Sequence, residues 1–104
     1  MTLLEFLEAR IAEDEAVRRA VIGHRGAADG LDIEVQRFNA WFGPARLRVE
    51  CEAKRRIVAA FEYREARADE SPITAAHATG LLLAIRNLAA VYLDHPDYLP
   101  EWKP

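Results

Sequence analysis

Apolar residues recur at helical spacing along most of the chain, and this pattern predicts four helices. Leu4, Leu7 and Ile11 share one face of the first predicted helix, because residues three and four apart lie on the same side of a helix. Pro44 and Pro72 suit the first turn of a helix, where a missing backbone N–H costs nothing. No strand pattern and no internal repeat is found. The predicted helices span about 3–22, 31–42, 44–68 and 72–93, and a tail follows over 94–104.

These elements predict a single domain, residues 1–104, of the all-α class. We expect a small bundle of about four helices with an irregular C-terminal tail packed back on the bundle. The composition agrees, because 51% of the 104 residues are hydrophobic and the net charge is only −3. Such a chain favours a folded core over disorder.

Three features of the sequence indicate the cellular compartment: the N-terminus, the most apolar stretch and the single cysteine. Glu5, Glu8 and Arg10 break up the N-terminus where the apolar segment of a signal peptide would lie. The most apolar stretch, residues 80–93, is shorter than the roughly 20 residues that a bilayer span needs. Cys51 has no partner for an intrachain disulfide. We therefore expect a cytoplasmic protein without membrane association.

The fourth predicted helix is unusual because apolar residues surround it. A helix that is apolar on all sides must be covered on all sides, and three further helices of a short chain cannot cover it completely. Either the tail or a second chain covers the remainder, and a homodimer is the simplest way to do so. The candidate interface residues are Trp41, Leu82, Ile85, Tyr92, Tyr98 and Trp102.

Four charged residues form a candidate polar cluster beside apolar positions of the first and third helices. They form two pairs four residues apart, Asp14 with Arg18 and Glu50 with Lys54, the spacing of an ion pair along a helix. A buried charged cluster is one interpretation, since catalytic and binding groups often occupy such places. We favour interhelix ion pairs that fix the helix register, because no nucleophile lies at a useful spacing.

The third helix carries the basic run Lys54-Arg55-Arg56. Residues 45–68 hold seven basic and four acidic groups, so this stretch is positive in a chain that is negative overall. Nucleic-acid binding through residues 46–67 is one interpretation. Because glutamates alternate with the basic residues, a solvated helix face is the better one.

A turn after the fourth helix brings together Asp94, His95, Pro96 and Asp97. Neighbouring residues in one turn seldom converge on one ion, and no His or Cys pair has zinc-site spacing. We predict a structural turn in which Asp94 or Asp97 bonds backbone N–H groups, with a small enzyme using this turn as the alternative. Motifs for phosphate binding, nucleophilic catalysis or zinc are absent from the sequence. We therefore expect no enzymatic activity, no metal and no cofactor.

The tail carries the most specific motif. Residues 92–104, YLDHPDYLPEWKP, resemble the C-terminal signature Y-x-D-H-P-D-Y-x-x-E-W-[RK]-P of a family of short proteins of unknown function. Residues 4–10, 13–15, 44–46 and 50–56 resemble the same family. That family occurs in actinobacteria and their phages, so the resemblance implies such a source and implies no activity.

The sequence therefore predicts a protein–protein interaction module that associates with itself. As a phage or prophage accessory protein it would bind a host factor. The alternative function is nucleic-acid binding through the basic helix 46–67. Binding to duplex DNA that weakens steeply with salt would distinguish the alternative.

Overall fold

The computed structural model describes residues 1–23 and 33–104, and the described residues contain four α-helices and no strand. The helices are α1 (Leu3–Gly23), α2 (Ile33–Phe42), α3 (Pro44–Glu65) and α4 (Pro72–Ala90), and short 3-10 helices cover Ala68–Glu70 and Pro100–Trp102. The predicted all-α class is confirmed. The predicted start of the second helix, residue 31, lies outside the described residues.

The N-termini of α1 and α4 are each capped by a hydroxyl side chain. The backbone N–H of Glu5 donates to Oγ1 of Thr2 over 3.1 Å at the start of α1. At the start of α4, the N–H of Thr74 donates to Oγ of Ser71, also over 3.1 Å. Each bond satisfies a backbone donor that has no partner within its own helix. Pro72 occupies the first turn of α4, as its fixed φ predicts.

Gly43 alone connects α2 to α3, and a glycine is needed there because there is no room for a side chain. A Cβ at this position would overlap the carbonyl oxygen and carbon of Asn39. The backbone of Gly43 is extended, with φ −84° and ψ −160°, so the residue is not the left-handed helix cap that a glycine often provides. The close backbone approach makes the sharp corner possible, and Pro44 begins α3 directly after it.

Two helices end three residues earlier than predicted. After Glu65, N–H groups bond to carbonyls three residues back, as in the bond from Arg67 to Arg64, and the chain tightens into a 3-10 turn. After Ala90 the same tightening occurs, since the N–H of Tyr92 donates to the carbonyl of Ala89. Apolar periodicity does not distinguish such turns from the last turn of an α-helix.

The buried core lies at one end of the molecule, where α1, α3, α4 and the tail meet. One cluster joins the first half of α1 to α3 and α4, and a second cluster joins α1 and the end of α4 to the tail. The first cluster contains Leu7, Ile11, Cys51, Val58, Phe61 and Ile85; the second contains Phe6, Ala89, Tyr98 and Trp102. None of the described side chains between residues 12 and 50 is buried.

This placement of the core makes the molecule long and narrow. Its extents are 57 × 26 × 21 Å and its radius of gyration is 17.1 Å. A compact domain of this length would have a radius of gyration of about 13 Å. The molecule therefore exposes more surface than its mass requires.

α4 also meets the length and composition requirements of a membrane-spanning helix. The apolar stretch 80–93 alone is too short for a span, and the uncharged residues from Pro72 onward extend it. Core helices of soluble proteins that are mostly buried meet the same requirements, whereas 17% of this stretch of α4 is buried. In this fold α4 packs against α1, α3 and both 3-10 helices.

Candidate functional site

The hydroxyl of Tyr92 is a polar group at which three parts of the chain meet. Tyr92 lies just after α4, and its hydroxyl donates to Oδ2 of Asp14 on α1 over 2.6 Å. The ammonium of Lys54 on α3 donates to the same hydroxyl oxygen over 3.0 Å. The Lys54 Nζ atom also lies 5.1 Å from the centre of the Tyr92 ring. One phenol thus links a carboxylate and an ammonium group from two different helices.

The electrostatics of this group favour a neutral phenol. Burial raises the pKa of Tyr92 well above its usual range, and the bond to Asp14 and that carboxylate's charge add to the effect. Burial likewise raises the pKa of the nearby Cys51 thiol, again reinforced by Asp14. A nucleophilic thiol or a phenolate base would need the opposite shift. The arrangement therefore holds protons in place, and its chemistry is that of a tie between helices.

The charged residues of the predicted polar cluster have partners other than those predicted. Arg18 donates from Nε to the carbonyl of Pro44 over 3.1 Å, and Asp14 is bonded to Tyr92. Glu50 pairs with Arg46 over 2.8 Å, while Lys54 reaches Tyr92. Neither i, i+4 pair is among the ion pairs of the described residues, because long-range partners, and an arginine one turn earlier, take these groups.

The aromatic tail closes over Phe6, which is fully buried on α1. The Phe6 ring centre lies 5.2 Å from that of Trp102 and 5.7 Å from that of Tyr98. Tyr98 and Trp102 are themselves 5.7 Å apart and edge-on. Both were predicted at an interface, but the structure buries them within the chain. The sequence left two ways to cover apolar surface, the tail or a second chain. Around Phe6 the tail provides the cover.

Arg10 is buried beside the same aromatic cluster. Its guanidinium carbon lies 5.2 Å from the centre of the Phe6 ring, a distance at which a cation is attracted to the ring face. Nη2 pairs with Oε1 of Glu13 over 3.1 Å, and the Glu13 side chain is largely exposed. The sequence analysis missed Phe6 and Arg10 as a unit, although both fall in the stretch 4–10 that matched the family resemblance.

The turn after α4 is held by a histidine. Nδ1 of His95 accepts a hydrogen bond from the backbone N–H of Asp97 over 3.0 Å, and the His95 ring packs edge-on against Phe6 at 5.6 Å. The predicted backbone-bonding side chain was Asp94 or Asp97, whereas the structure places His95 in that role. Pro96 lies between the two bonded residues. The imidazole ring thus both shapes the turn and contacts the core.

The basic residues of α3 are largely engaged within the chain. Arg48 pairs with Glu52 over 2.9 Å, and Nε of Arg55 donates to Oε1 of Glu15 on α1 over 2.8 Å. Just after α3, the guanidinium of Arg67 lies over the ring of Tyr63, at 3.7 Å from its centre. These contacts, with those of Arg46 and Lys54, reduce the cationic charge available for an external partner.

A shallow cavity of about 180 Å³ lies between α1 and α3. It is smaller than the roughly 300–1,000 Å³ of small-molecule sites, and the Arg55 at its edge is bonded to Glu15. Within the described residues, no group of three His, Cys, Asp or Glu side chains could hold a metal ion. The cavity is lined by Glu8, Ile11, Arg55, Val58, Ala59 and Glu62.

α4 turns one apolar face to the core and a second one to solvent. Ile85 is buried and Leu82 is half-buried against the core, so these two predicted interface residues face inward. Ile73 and Leu83 are 69% and 55% exposed. The exposed face, here called the free face of α4, consists of Ile73, Ala76, Gly80, Leu83 and Asn87.

The sequence did not identify which side of α4 is free. The helix is apolar all round, so periodicity could not separate an inner from an outer face. A signal that could have found the free face is the alternating spacing of three and four residues from Ile73 to Asn87. Among the predicted interface residues, Trp41 is the strongly exposed one, at 71%, and Tyr92 is half-buried in its polar tie.

Comparison with known proteins assigns a family. The model of the family of unknown function DUF6221 matches residues 1–104. The chain belongs to DUF6221. The comparisons with curated proteins and with solved structures found no match. The resemblance to a family of unknown function, drawn mainly from the tail, is thereby confirmed. In this member of DUF6221 the C-terminal motif supplies the aromatic cluster around Phe6 and the His95 turn.

Proposed function

We propose that this chain is a protein–protein interaction module whose binding surface is the free face of α4. The observation that carries the proposal is the exposure of two large aliphatic side chains, Ile73 and Leu83, on a helix whose opposite side already fills the core. A contiguous apolar surface on a small protein marks a contact site. The tail covers Phe6 and leaves these residues open.

The absence of charge strengthens the case for a partner surface. From Pro72 to Ile85 the sequence contains no Asp, Glu, Lys or Arg. The centres of protein interfaces are depleted in charged residues in the same way. A solvated helix face would instead carry charged groups opposite its core side.

Trp41 provides a second exposed anchor at the corner between α2 and α3. It is 71% exposed, and the guanidinium of Arg46 donates to its backbone carbonyl over 3.4 Å. Tryptophan and arginine are both enriched at protein interfaces. This corner lies outside the buried core.

Nucleic-acid binding through residues 46–67 receives no comparable support. Arg46, Arg48 and Arg55 each bond to a carboxylate of the same chain. A phosphate backbone attracts a protein through uncompensated cations. We therefore propose protein contact alone, and in this proposal the Tyr92 group is a structural tie.

Photo-crosslinking tests the proposal in the cells in which the chain is naturally made. A photoreactive amino acid at Leu83 lies on the free face, and the same amino acid at Ala60, which is exposed on α3, is the matched control. We expect covalent adducts with a protein chain from position 83 and not from position 60. No adduct from position 83, or the same adducts from both, would overturn the proposal.

A further inference from the structure

We infer that the free face of α4 binds a second copy of this chain, with the two α4 helices crossing at Gly80; this inference rests on the proposed function. The first support is the spacing of the free face. Ile73, Ala76, Gly80, Leu83 and Asn87 follow one another at steps of three, four, three and four residues. This is the repeat by which two helices pack along a shared seam.

Gly80 is the second support, because nothing in the part of the chain that the structure describes explains a glycine there. A Cβ added at Gly80 would meet no atom within 4 Å. Glycine destabilises the interior of a helix relative to alanine, and no close contact within the described residues requires a glycine here. A second helix that packs closely at this point would require one, since glycine lets two helix backbones come together. Ala76, one turn earlier, is also small.

The free face complements itself in shape and in charge. Two bulky residues, Ile73 and Leu83, flank the small pair Ala76 and Gly80, so the projections of one copy fit the hollow of the other. A two-fold axis presents the same patch on both copies. The uncharged face creates no repulsion between identical chains and offers no ion-pair partner to a charged protein.

Asn87 adds a device that favours one register. Its Nδ2 donates to the backbone carbonyl of Leu83 over 2.9 Å, which orients the carboxamide on the free face. A single asparagine on the seam of two packed helices specifies register and number of chains. A purely apolar seam would allow the helices to slide.

The exposed area agrees with what a dimer needs. The chain exposes 7312 Å², whereas a compact monomer of 11.7 kDa would expose about 5,900 Å². The difference of about 1,400 Å² exceeds the roughly 800 Å² that each partner buries in a standard interface. This excess belongs to the whole elongated chain, and the free face of α4 is one part of it.

Sedimentation equilibrium over a range of micromolar concentrations tests the inference directly. We expect a species of twice 11.7 kDa, and we expect Leu83→Arg to weaken association about tenfold or more. The control Ala60→Arg places the same charge on an exposed site of α3 and should associate as the native chain does. Circular dichroism confirms that both variants are folded.

Two variants at Gly80 locate the crossing point. In a Cys51→Ala background, Gly80→Cys should form an intermolecular disulfide on mild oxidation, because a close crossing brings the Cα atoms within the roughly 4.4–6.8 Å that the bond needs. Gly80→Ala should raise the thermal midpoint of the dilute chain and at the same time weaken association. A glycine with only a structural role would not produce both effects.

The outcomes separate this inference from the proposed function. A dimer that tolerates Leu83→Arg and gives no Gly80→Cys disulfide would overturn the crossing and place the contact elsewhere, for example at Trp41. A chain that stays at 11.7 kDa while position 83 crosslinks to a different protein would overturn self-association alone. A monomer without crosslinks from position 83 would overturn both.

Discussion

The hydroxyl of Tyr92 donates to Oδ2 of Asp14 over 2.6 Å, although the two residues lie 78 positions apart in the sequence. Lys54 completes the group from α3. The bond joins a residue of the N-terminal helix to one near the C-terminus, because Asp14 belongs to α1 and Tyr92 lies just before the tail. The tie joins the end of α4 to α1 and α3.

Removal of the Tyr92 hydroxyl should destabilise the fold. Tyr92→Phe leaves Asp14 and Lys54 without their shared partner, and hydrogen bonds to charged groups are worth about 1.5–3 kcal/mol. We expect a loss of about 1–2 kcal/mol in the free energy of unfolding, measured by urea denaturation. Tyr63→Phe is the control, since Tyr63 is 54% exposed on α3 and should change stability by less than about 0.5 kcal/mol. Equal effects of the two substitutions would contradict the tie.

Alkaline pH should destabilise the fold through the same region. The pKa values of Tyr92 and Cys51 are raised in the folded chain, mainly by burial. Once pH exceeds the unfolded-state pKa of a group, the unfolded state binds fewer protons there than the folded state, so stability falls as pH rises. Their contribution is thus fully present below about pH 8 and declines above about pH 8.5–10.

The urea midpoint measured from pH 7 to pH 11 checks this dependence. The slope above pH 10 should be shallower in Tyr92→Phe, because that variant has no phenol to ionise at this site. An unchanged slope in Tyr92→Phe would show that the phenol does not contribute.

Local signals predicted the helices, and long-range contacts could not be predicted. Pro72 marked the start of α4, because proline acts within one turn. The partners of Asp14 and Lys54 could not be read from the sequence, since a charged residue on a helix finds its neighbours at i+4 as readily as on another helix. Asp14 and Tyr92 come together only after α1 and α4 have packed.

The sequence also could not predict which face of α4 packs on the core and which is exposed. Leu82 and Leu83 are identical and adjacent, yet Leu82 packs on the core and Leu83 is 55% exposed. The positions of α1, α3 and the tail decide between them. Tyr98 and Trp102 were recognisable as an apolar tail, but only the fold shows that they cover Phe6 and not a second chain.

The two tryptophans should differ sharply in their contribution to stability. Trp102 is 8% exposed and packs against Phe6 and Tyr98, whereas Trp41 is 71% exposed. Trp102→Ala should lower the free energy of unfolding by about 3–5 kcal/mol, the usual cost of truncating a buried large aromatic side chain. Trp41→Ala should change it by less than about 0.5 kcal/mol. Urea unfolding monitored by circular dichroism measures both, and a small effect at Trp102 would contradict the anchoring of the tail.

Gly43 and Gly80 should respond to alanine in opposite directions. Gly43→Ala places a Cβ against the carbonyl of Asn39 and should destabilise the chain by about 1–3 kcal/mol, as overpacking does. Gly80→Ala adds a Cβ in open space and should stabilise the dilute chain by about 0.5–1 kcal/mol. Urea midpoints at low protein concentration test the pair. Destabilisation by Gly80→Ala would contradict the exposure of the free face.

The accessibility of a single cysteine on the free face tests the interaction surface most directly. Leu83→Cys and Ala60→Cys, each in a Cys51→Ala background, would be labelled with a thiol reagent in intact cells and as dilute purified chains. We predict that labelling at position 83 is much slower in cells than in the dilute chain, while labelling at position 60 is equally fast in both. Equal rates at position 83 in cells and in dilute solution would contradict a covered free face, and with it the proposed function.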